Sequence, residues 1–198
     1  MFRCKACAPL APDCRQLSRR SVSYFGSQKA IALAHSTEID PQEFRRALSS
    51  FATGVGVVTT VDGRGNKVGI TISSFNSVSL EPPLILWSVG LDSMSYDAFV
   101  AADHFAIHIL GRHQMEMCDR FAQRSESKFD GIDVRSGLHG VPILPDFAVC
   151  FQCSTEHVYP GGDHKIIVGR VYHIEERETE PLIYYRGGFP GKHESSDP

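Results

Sequence analysis

Short runs of β-branched and alternating residues, separated by turn sequences, constrain the fold of this chain more than any other feature. The first run spans Gly54–Val61 and ends in the turn sequence Asp62–Asn66. A second run spans Val68–Leu80, and Leu84–Val89 forms a third. The break between them is Glu81-Pro82-Pro83, where proline lacks the N–H group that a strand ladder needs. Short connections of this kind predict antiparallel pairing in a meander.

Three short helices and four further strands complete the predicted pattern. Asp40 caps the first helix and Pro41 suits its opening position. The second helix covers Ser93–Ala102 and the third covers Gln114–Gln123, while residues 125–146 predict a long loop. About six or seven strands with three helices between them favour a closed or nearly closed barrel, mainly β, over a doubly wound sheet. The apolar residues at helical spacing are Phe44, Leu48 and Phe51, then Met94, Ala98 and Ala101, then Met117, Cys118 and Phe121, and the later strands are His104–Leu110, Phe147–Tyr159, Lys165–Glu175 and Leu182–Tyr185.

Length and charge exclude several classes of protein. The chain has 198 residues and a formal net charge of −3, and a length of about 100–200 residues suits one domain. No apolar run reaches the roughly 18 residues of a membrane-spanning helix, and no Lys/Arg-rich stripe indicates nucleic-acid binding. Neither a Gly-x-Gly-x-x-Gly fingerprint nor a phosphate-binding loop is present, so a dinucleotide would have to bind without a Rossmann unit.

The first 36 residues differ in composition from the rest. They contain six Lys or Arg and one acidic residue, with several Ser and Pro. This composition predicts a disordered or targeting-like tail, and an upstream start site would look the same. We therefore expect one folded domain over residues 37–198 in a cytoplasmic protein, or in an imported one if the basic segment is genuine.

Two cysteine pairs have the spacing of metal ligands. They are Cys4 with Cys7 and Cys150 with Cys153. The second pair falls in an alternating run, where an odd separation sends the side chains to opposite faces of a strand. We expect no metal site there and interpret these cysteines as small apolar fillers in a reduced protein.

A row of hydroxyl groups lies in the second strand-like run. Thr71, Ser73, Ser77 and Ser79 share one strand face if no bulge intervenes. Such a face suits a phosphate, a ribityl chain or the carbonyl edge of an isoalloxazine ring, because buried hydroxyls need polar partners. The alternative is the solvent face of an antiparallel strand, where Thr and Ser are common.

Four motifs occur in order between residues 40 and 189. They are Phe44–Thr60 with Ala-Thr-Gly-Val-x-Val-Val-Thr-Thr, Gly69–Pro83 with Ser-Ser-Phe-x-Ser-Val-Ser-Leu, Gly162–Val171 with Gly-Asp-His, and Leu182–Gly187 with Tyr-Tyr-Arg-Gly. Together they resemble the flavin reductase-like family, which includes the small reductase components of two-component flavin monooxygenases. The resemblance implies an FMN-binding split β-barrel of antiparallel, Greek-key-like strands, usually a homodimer with flavin at the subunit interface.

The resemblance also implies site residues. His164 would lie beside the nicotinamide, as the one catalytic candidate, and a turn histidine without a role is the alternative. For Ser93 and Ser95, the alternative to a ligand contact is helix capping. For Arg120, the alternative is an exposed position on a helix. His104 and His108 share a strand face without a carboxylate partner, so we expect structural or exposed roles and no metal. The implied flavin or nicotinamide contacts are Thr71, Ser73, Ser74, Ser77, Val78, Ser79, Ser93, Ser95, Arg120, Phe121, Ala122, His164, Tyr185 and Arg186.

The function implied by the resemblance is an NAD(P)H:flavin oxidoreductase. Its substrates would be NADH or NADPH and FMN or FAD, and its partner a flavin-dependent oxygenase component. Hydride transfer between stacked rings requires positioning rather than an acid–base pair, which agrees with a sequence that has no catalytic triad pattern. The alternative is a tight flavin-binding electron carrier or flavin store without turnover of free flavin.

Overall fold

The structure, a computed structural model, describes residues 39–190. The predicted tail and the cysteines within it lie outside these residues. Among the described helices, none is long and apolar enough to span a membrane. The elements in chain order are α1 (Pro41–Leu48), β1 (Thr53–Gly54), β2 (Gly56–Val61), β3 (Lys67–Ile72), β4 (Asn76–Leu80), β5 (Pro83–Gly90), α2 (Tyr96–Ala101), β6 (His104–Ile109), α3 (Met115–Ala122), β7 (Arg135–Ser136), β8 (Pro142–Ile143), β9 (Val149–Gly161), β10 (His164–Glu176) and β11 (Ile183–Tyr184).

Seven strands form one antiparallel sheet in the order β3-β2-β6-β9-β10-β5-β4. This confirms the prediction of a mainly antiparallel β fold with short helices. The two edge strands, β3 and β4, are consecutive in the chain and are separated only by residues 73–75. One continuous segment therefore supplies both edges, and the sheet curls. The ladder itself stays open between β3 and β4, so the sheet is not a fully closed barrel.

The interior of the curled sheet is filled by alternate side chains of the strands. Trp87 on β5 is fully buried, with its ring centroid 5.0 Å from that of Phe99 and 5.8 Å from that of Phe105. Val58 and Ile107 belong to the same cluster. Burial of each such side chain contributes about 1.5–3 kcal/mol, so this cluster is a main source of stability.

A second cluster holds α3 against the outside of β3. Cys118 and Phe121 on α3 are buried against Leu110 and Leu182, as the helical spacing predicted. Gly69 makes the close approach possible, because a Cβ atom there would lie 2.4 Å from Phe121 Cε1. The position of α3 therefore requires a residue without a side chain at position 69.

Two helices differ from their predicted packing. Met94 precedes α2 instead of lying within it and is 60% exposed, and Phe99 takes the buried position. The helix begins three residues later than predicted, because Ser93 and Ser95 form a turn before it. In α1 no residue is buried. Phe44 and Leu48 have the predicted spacing but are exposed.

Gly169 offers a test of packing in the interior. A Cβ atom there would lie 2.4 Å from Phe105 Cζ, so Gly169→Ala must displace a fully buried ring. Overpacking of this kind costs about 1–3 kcal/mol. Urea denaturation should show this loss, whereas Gly54→Ala, which meets no atom within 4 Å, should stay within about 0.5 kcal/mol of the wild type. Equal stability of Gly169→Ala and the wild type would contradict the packing.

Candidate functional site

The expected row of four hydroxyls on one face is broken in the structure. Ile70 and Ile72 pack against the interior cluster, and so does Phe75. Ile72 and Phe75 both face the interior although they are three residues apart, so the regular alternation of inward and outward side chains changes at residues 73–75. A register shift between Ser77 and Ser79 changes it again. The condition that no bulge intervenes is therefore not met, because the chain must bend from one edge of the sheet to the other.

The hydroxyls of this segment have separate environments. Thr71 donates its hydroxyl to the Cys118 carbonyl of α3 at 2.7 Å. Ser74 Oγ accepts a hydrogen bond from Ser88 N at 3.0 Å and lies 3.3 Å from Ser88 O. The side chains of Ser73, Ser77 and Val78 are exposed, and Ser79 is half-buried.

His164 lies at one end of the curled sheet, opposite Gly90 on β5. Its Nδ1 lies 2.8 Å from Asp163 Oδ1, and this hydrogen bond holds the pKa of Asp163 below its usual value. The Asp163 carbonyl accepts a hydrogen bond from Leu91 N at 2.9 Å. When Nδ1 donates to Asp163, Nε2 is left on the Gly90 side as an acceptor. A Cβ atom at Gly90 would lie 3.7 Å from this Nε2.

The turn before α2 joins the same corner. Ser93 N donates to the Gly90 carbonyl at 3.1 Å, and Ser93 Oγ accepts from Ser95 N at 3.2 Å. Arg124 Nη2 lies 3.2 Å from the Asp92 carbonyl and 3.3 Å from Asp92 Oδ2. The structure thus connects Ser93 and His164 through Gly90, which bonds the first and pairs with the second, and Ser95 belongs to the same turn as Ser93.

The C-terminal end of α3 is fixed by a lysine that the sequence did not single out. Lys128 Nζ donates to the Phe121 carbonyl at 3.0 Å and to the Gly69 carbonyl at 3.1 Å. Burial lowers the pKa of Lys128. These carbonyls belong to a helix end and to an edge strand, where backbone partners run out. A lone lysine in a polar loop gives no sequence signal for this contact.

Arg120, Phe121 and Ala122, the flavin contacts implied at the end of α3, differ in exposure. Arg120 Nη2 donates to the Asp130 carbonyl at 2.6 Å. The Phe121 side chain is fully buried and Ala122 is exposed. Any ligand contact at Phe121 must therefore come from its backbone.

Tyr185 and Arg186 follow β11, which pairs with β1. Arg186 has a φ of 49°, its N donates to the Ser49 carbonyl at 2.9 Å, and its guanidinium carbon lies 5.3 Å from the Tyr185 ring centroid. Within residues 39–190, no hydrogen bond joins this pair to His164 or to the turn before α2.

The histidines and cysteines considered for metal binding have other partners. His108 is fully buried, with Nδ1 3.1 Å from the Val57 carbonyl and Nε2 accepting from Leu144 N at 3.2 Å. Cys150 and Cys153 lie in different clusters, which confirms that they occupy opposite faces. No group of three or more potential metal ligands occurs in the part of the chain that the structure describes.

A cleft of about 430 Å³ lies beside the start of β3. Its walls come from the β2–β3 turn, the turn before α2, and the loop after α3. A second cleft of about 440 Å³ adjoins it and shares Arg64 and Met94. Volumes of about 300–1,000 Å³ are typical of small-molecule sites.

The donor set at the corner fits a flavin nucleotide. Serine hydroxyls at the bend and before α2 can bond phosphate, ribityl and ring carbonyl oxygens without adding charge. Gly90 leaves space beside His164 that a side chain would fill.

A family model described as "Flavin reductase like domain" matches residues 48–193 of the chain. The chain belongs to the flavin reductase-like family. This flavin reductase-like chain is 42% identical over 150 residues to the "Probable flavin reductase" of Rhizobium meliloti, covering 76% of this chain and 48% of that protein. The chain thus spans about half the length of that relative.

Two further relatives of the flavin reductase-like chain match over most of their own length. The reductase subunit HsaB of a flavin-dependent monooxygenase from Rhodococcus jostii is 42% identical over 154 residues, which cover 77% of this chain and 78% of that protein. The solved structure of the NADH:FAD oxidoreductase SgcE6 of Streptomyces globisporus, in complex with NAD and FAD fragments, is 33% identical with a TM-score of 0.72. That match covers 81% of this chain and 99% of the solved chain.

Burial of His108 makes the stability of this flavin reductase-like domain decrease at acidic pH. Burial lowers the pKa of His108 from 6.5 to about 4, whereas the unfolded chain binds the proton near pH 6.5. Stability is therefore complete above pH 6.5 and falls by about 3 kcal/mol as the pH drops to 4. The free energy of unfolding, measured by urea denaturation at several pH values in this range, should change less steeply with pH in His108→Gln than in the wild type. His157→Gln, at an exposed position, should keep the wild-type slope, and an unchanged slope in His108→Gln would contradict the assignment.

Proposed function

We propose that this protein is an NAD(P)H:flavin oxidoreductase that supplies reduced flavin to a separate oxygenase. The observation that carries the proposal is the corner at which His164, Gly90 and the serines before α2 meet in a flavin reductase-like fold. The relatives named as reductases support the same reaction class. A flavin, when bound, supplies the ring that takes up hydride from a reduced nicotinamide.

The chain's residues would act by positioning. Asp163 holds Nδ1 of His164, so Nε2 lies on the Gly90 side, where a Cβ atom would be 3.7 Å from Nε2 and 3.0 Å from Asp92 Oδ1. From there the imidazole can accept a hydrogen bond from a carboxamide, or donate one when protonated. Holding two rings face to face supplies much of the rate acceleration that such a transfer needs.

The remaining implied contacts divide between the ends of the flavin. We assign the ring edge and ribityl chain to the segment from Thr71 to Ser79, which includes Ser73, Ser74, Ser77 and Val78. Ser93 and Ser95 would face a phosphate, and so would Arg120 with the backbone of Phe121 and Ala122. Tyr185 and Arg186, which follow the separate strand pair of β1 and β11, would contact either cofactor.

We further propose a homodimer with flavin at the subunit interface. Exposed apolar side chains are present on α1, just after it and on β4, and a second copy would remove them from water. The oxygenase partner is proposed from the name of the Rhodococcus relative as a monooxygenase reductase subunit. The apolar side chains concerned are Phe44, Leu48, Phe51, Val78 and Leu80.

A steady-state assay tests the reductase proposal. NADH and NADPH are each combined with free FMN and free FAD, and nicotinamide oxidation is followed by the loss of its near-ultraviolet absorbance. We expect turnover that rises with added flavin and saturates. Flavin retained through gel filtration without nicotinamide turnover would instead identify an electron carrier or flavin store.

His164→Ala should lower turnover more than it lowers flavin affinity. Loss of one hydrogen bond to a polar group costs about 1.4 kcal/mol, or roughly tenfold in kcat/KM for the nicotinamide. The flavin dissociation constant, measured by fluorescence quenching, should change by less than about twofold. His173→Ala is the matched control, because His173 is exposed on the same strand. Wild-type turnover in His164→Ala would remove His164 from the site.

A further inference from the structure

Lys128 joins two segments that both carry assigned flavin contacts. Its Nζ donates to the Gly69 carbonyl on β3 at 3.1 Å and to the Phe121 carbonyl near the end of α3 at 3.0 Å. The first carbonyl lies two residues before Thr71, where the segment assigned to the ring and ribityl chain begins. The second belongs to the three residues assigned to the phosphate. One ammonium group therefore connects the two segments.

The two carbonyls belong to parts of the fold that regular backbone pairing does not tie together. β3 is an edge strand, so no strand follows it on its outer side. Phe121 lies in the last turn of α3, where helix carbonyls lack intrahelical partners. A cation also suits this place, because the C-terminal end of a helix carries the negative end of its dipole.

The next two residues of the loop strengthen the same connection. The Phe129 ring meets the Phe121 ring edge to face, with centroids 5.0 Å apart, and a Cβ atom at Gly69 would lie 3.2 Å from Phe129 Cζ. The Asp130 carbonyl accepts from Arg120 Nη2 at 2.6 Å. This stretch of loop thus contacts β3, α3 and the guanidinium group assigned to the phosphate.

Another hydrogen bond between β3 and α3 lies about one helical turn away. Thr71 donates to the Cys118 carbonyl at 2.7 Å, three residues before Phe121. This bond fixes the middle of α3 to the strand. The last turn of α3, which supplies the backbone assigned to the phosphate, is held by Lys128 and by the packing of the two phenylalanine rings.

The Lys128 side chain is half-buried, and burial lowers its pKa. Desolvation of an ammonium group is unfavourable unless hydrogen bonds compensate it. An apolar side chain could fill the same space without that penalty, but it could not bridge two carbonyls. The bridge is therefore what a lysine contributes at this position.

We infer that Lys128 is a positioning residue for flavin: it sets the separation between the β3 segment that would contact the ring and ribityl chain and the end of α3 that would face the phosphate. The inference rests on the proposed function, which assigns these two segments to flavin. A ligand that contacts both segments binds more tightly when their separation is fixed beforehand, because preorganisation lowers the cost of ordering the site. A ligand that contacts only β3 gains nothing from it.

Riboflavin and FMN provide this comparison, because riboflavin has the ring and ribityl chain but no phosphate. The ratio of their dissociation constants, measured on the full chain by flavin fluorescence, reports the contribution of the phosphate. We expect Lys128→Met to lower the ratio about fivefold or more, with riboflavin within about twofold of its wild-type constant. Lys128→Arg, which can still donate to both carbonyls, should restore most of the ratio.

Lys67→Met is the matched control. Lys67 is exposed, lies on the same strand as Gly69 and lines the same cleft as Lys128. Its removal therefore deletes an equal charge and leaves both hydrogen bonds of Lys128 in place. The ratio should stay at its wild-type value. An equal loss in the two variants would assign the effect to charge alone and overturn the inference.

Hydrogen exchange in the flavin-free protein separates positioning from direct contact with the phosphate. Amides of residues 119–124 should exchange faster in Lys128→Met than in the wild type, and at the wild-type rate in Lys67→Met. A lowered ratio with unchanged exchange would identify a direct phosphate contact and overturn the positioning role. If Lys128→Met does not fold, Lys128→Gln replaces it in both measurements, because the shorter side chain cannot bridge the same two carbonyls.

Failure of the inference can be distinguished from failure of the proposed function. A wild-type ratio in Lys128→Met overturns the inference even when NADH reduces flavin normally. A lowered ratio with faster exchange, in a protein that shows no nicotinamide oxidation, supports the inference and overturns the reductase proposal.

Discussion

The bend at residues 73–75 is the constraint on which the rest of the structure depends. It allows one segment to pair with β2 through its first half and with β5 through its second half. A straight segment could supply only one edge, and the sheet would stay open and flat. At the bend, the Ser74 hydroxyl takes the place of a backbone partner for Ser88. The curvature is therefore stabilised by a side chain where the ladder is interrupted.

Attachment of α3 to this segment also fixes the position of the loop that follows α3. Three independent contacts make the attachment: the Thr71 hydroxyl on the Cys118 carbonyl, the Phe121 ring over Gly69, and the Lys128 ammonium group on two carbonyls. A hydrogen bond that involves a charged group contributes about 1.5–3 kcal/mol. The loop after α3 is thus fixed to the strand that carries the candidate flavin contacts, and the two cannot move independently at little energetic cost.

The strands could be predicted from the sequence because burial on one face imposes alternation, and alternation is visible in residues such as His104–Ile109. The interruption of the hydroxyl row could not be predicted, since nothing in the sequence marks where a strand bends. Met94 was misplaced because two serines form a turn in place of the first helical turn. Burial of α1 depends on neighbours rather than on periodicity. Lys128 gains its role only from the contacts with two backbone carbonyls that folding creates.

The chain contains one tryptophan, and its placement has a practical consequence. Trp87 is fully buried among phenylalanine rings, and its indole N–H has no partner among the described residues. Its ultraviolet emission therefore reports a dry, apolar environment and shifts to the red only when water enters the interior. A yellow chromophore at the end of the sheet would quench the same emission by energy transfer without that shift. One spectrum thus separates opening of the protein from occupancy of its surface.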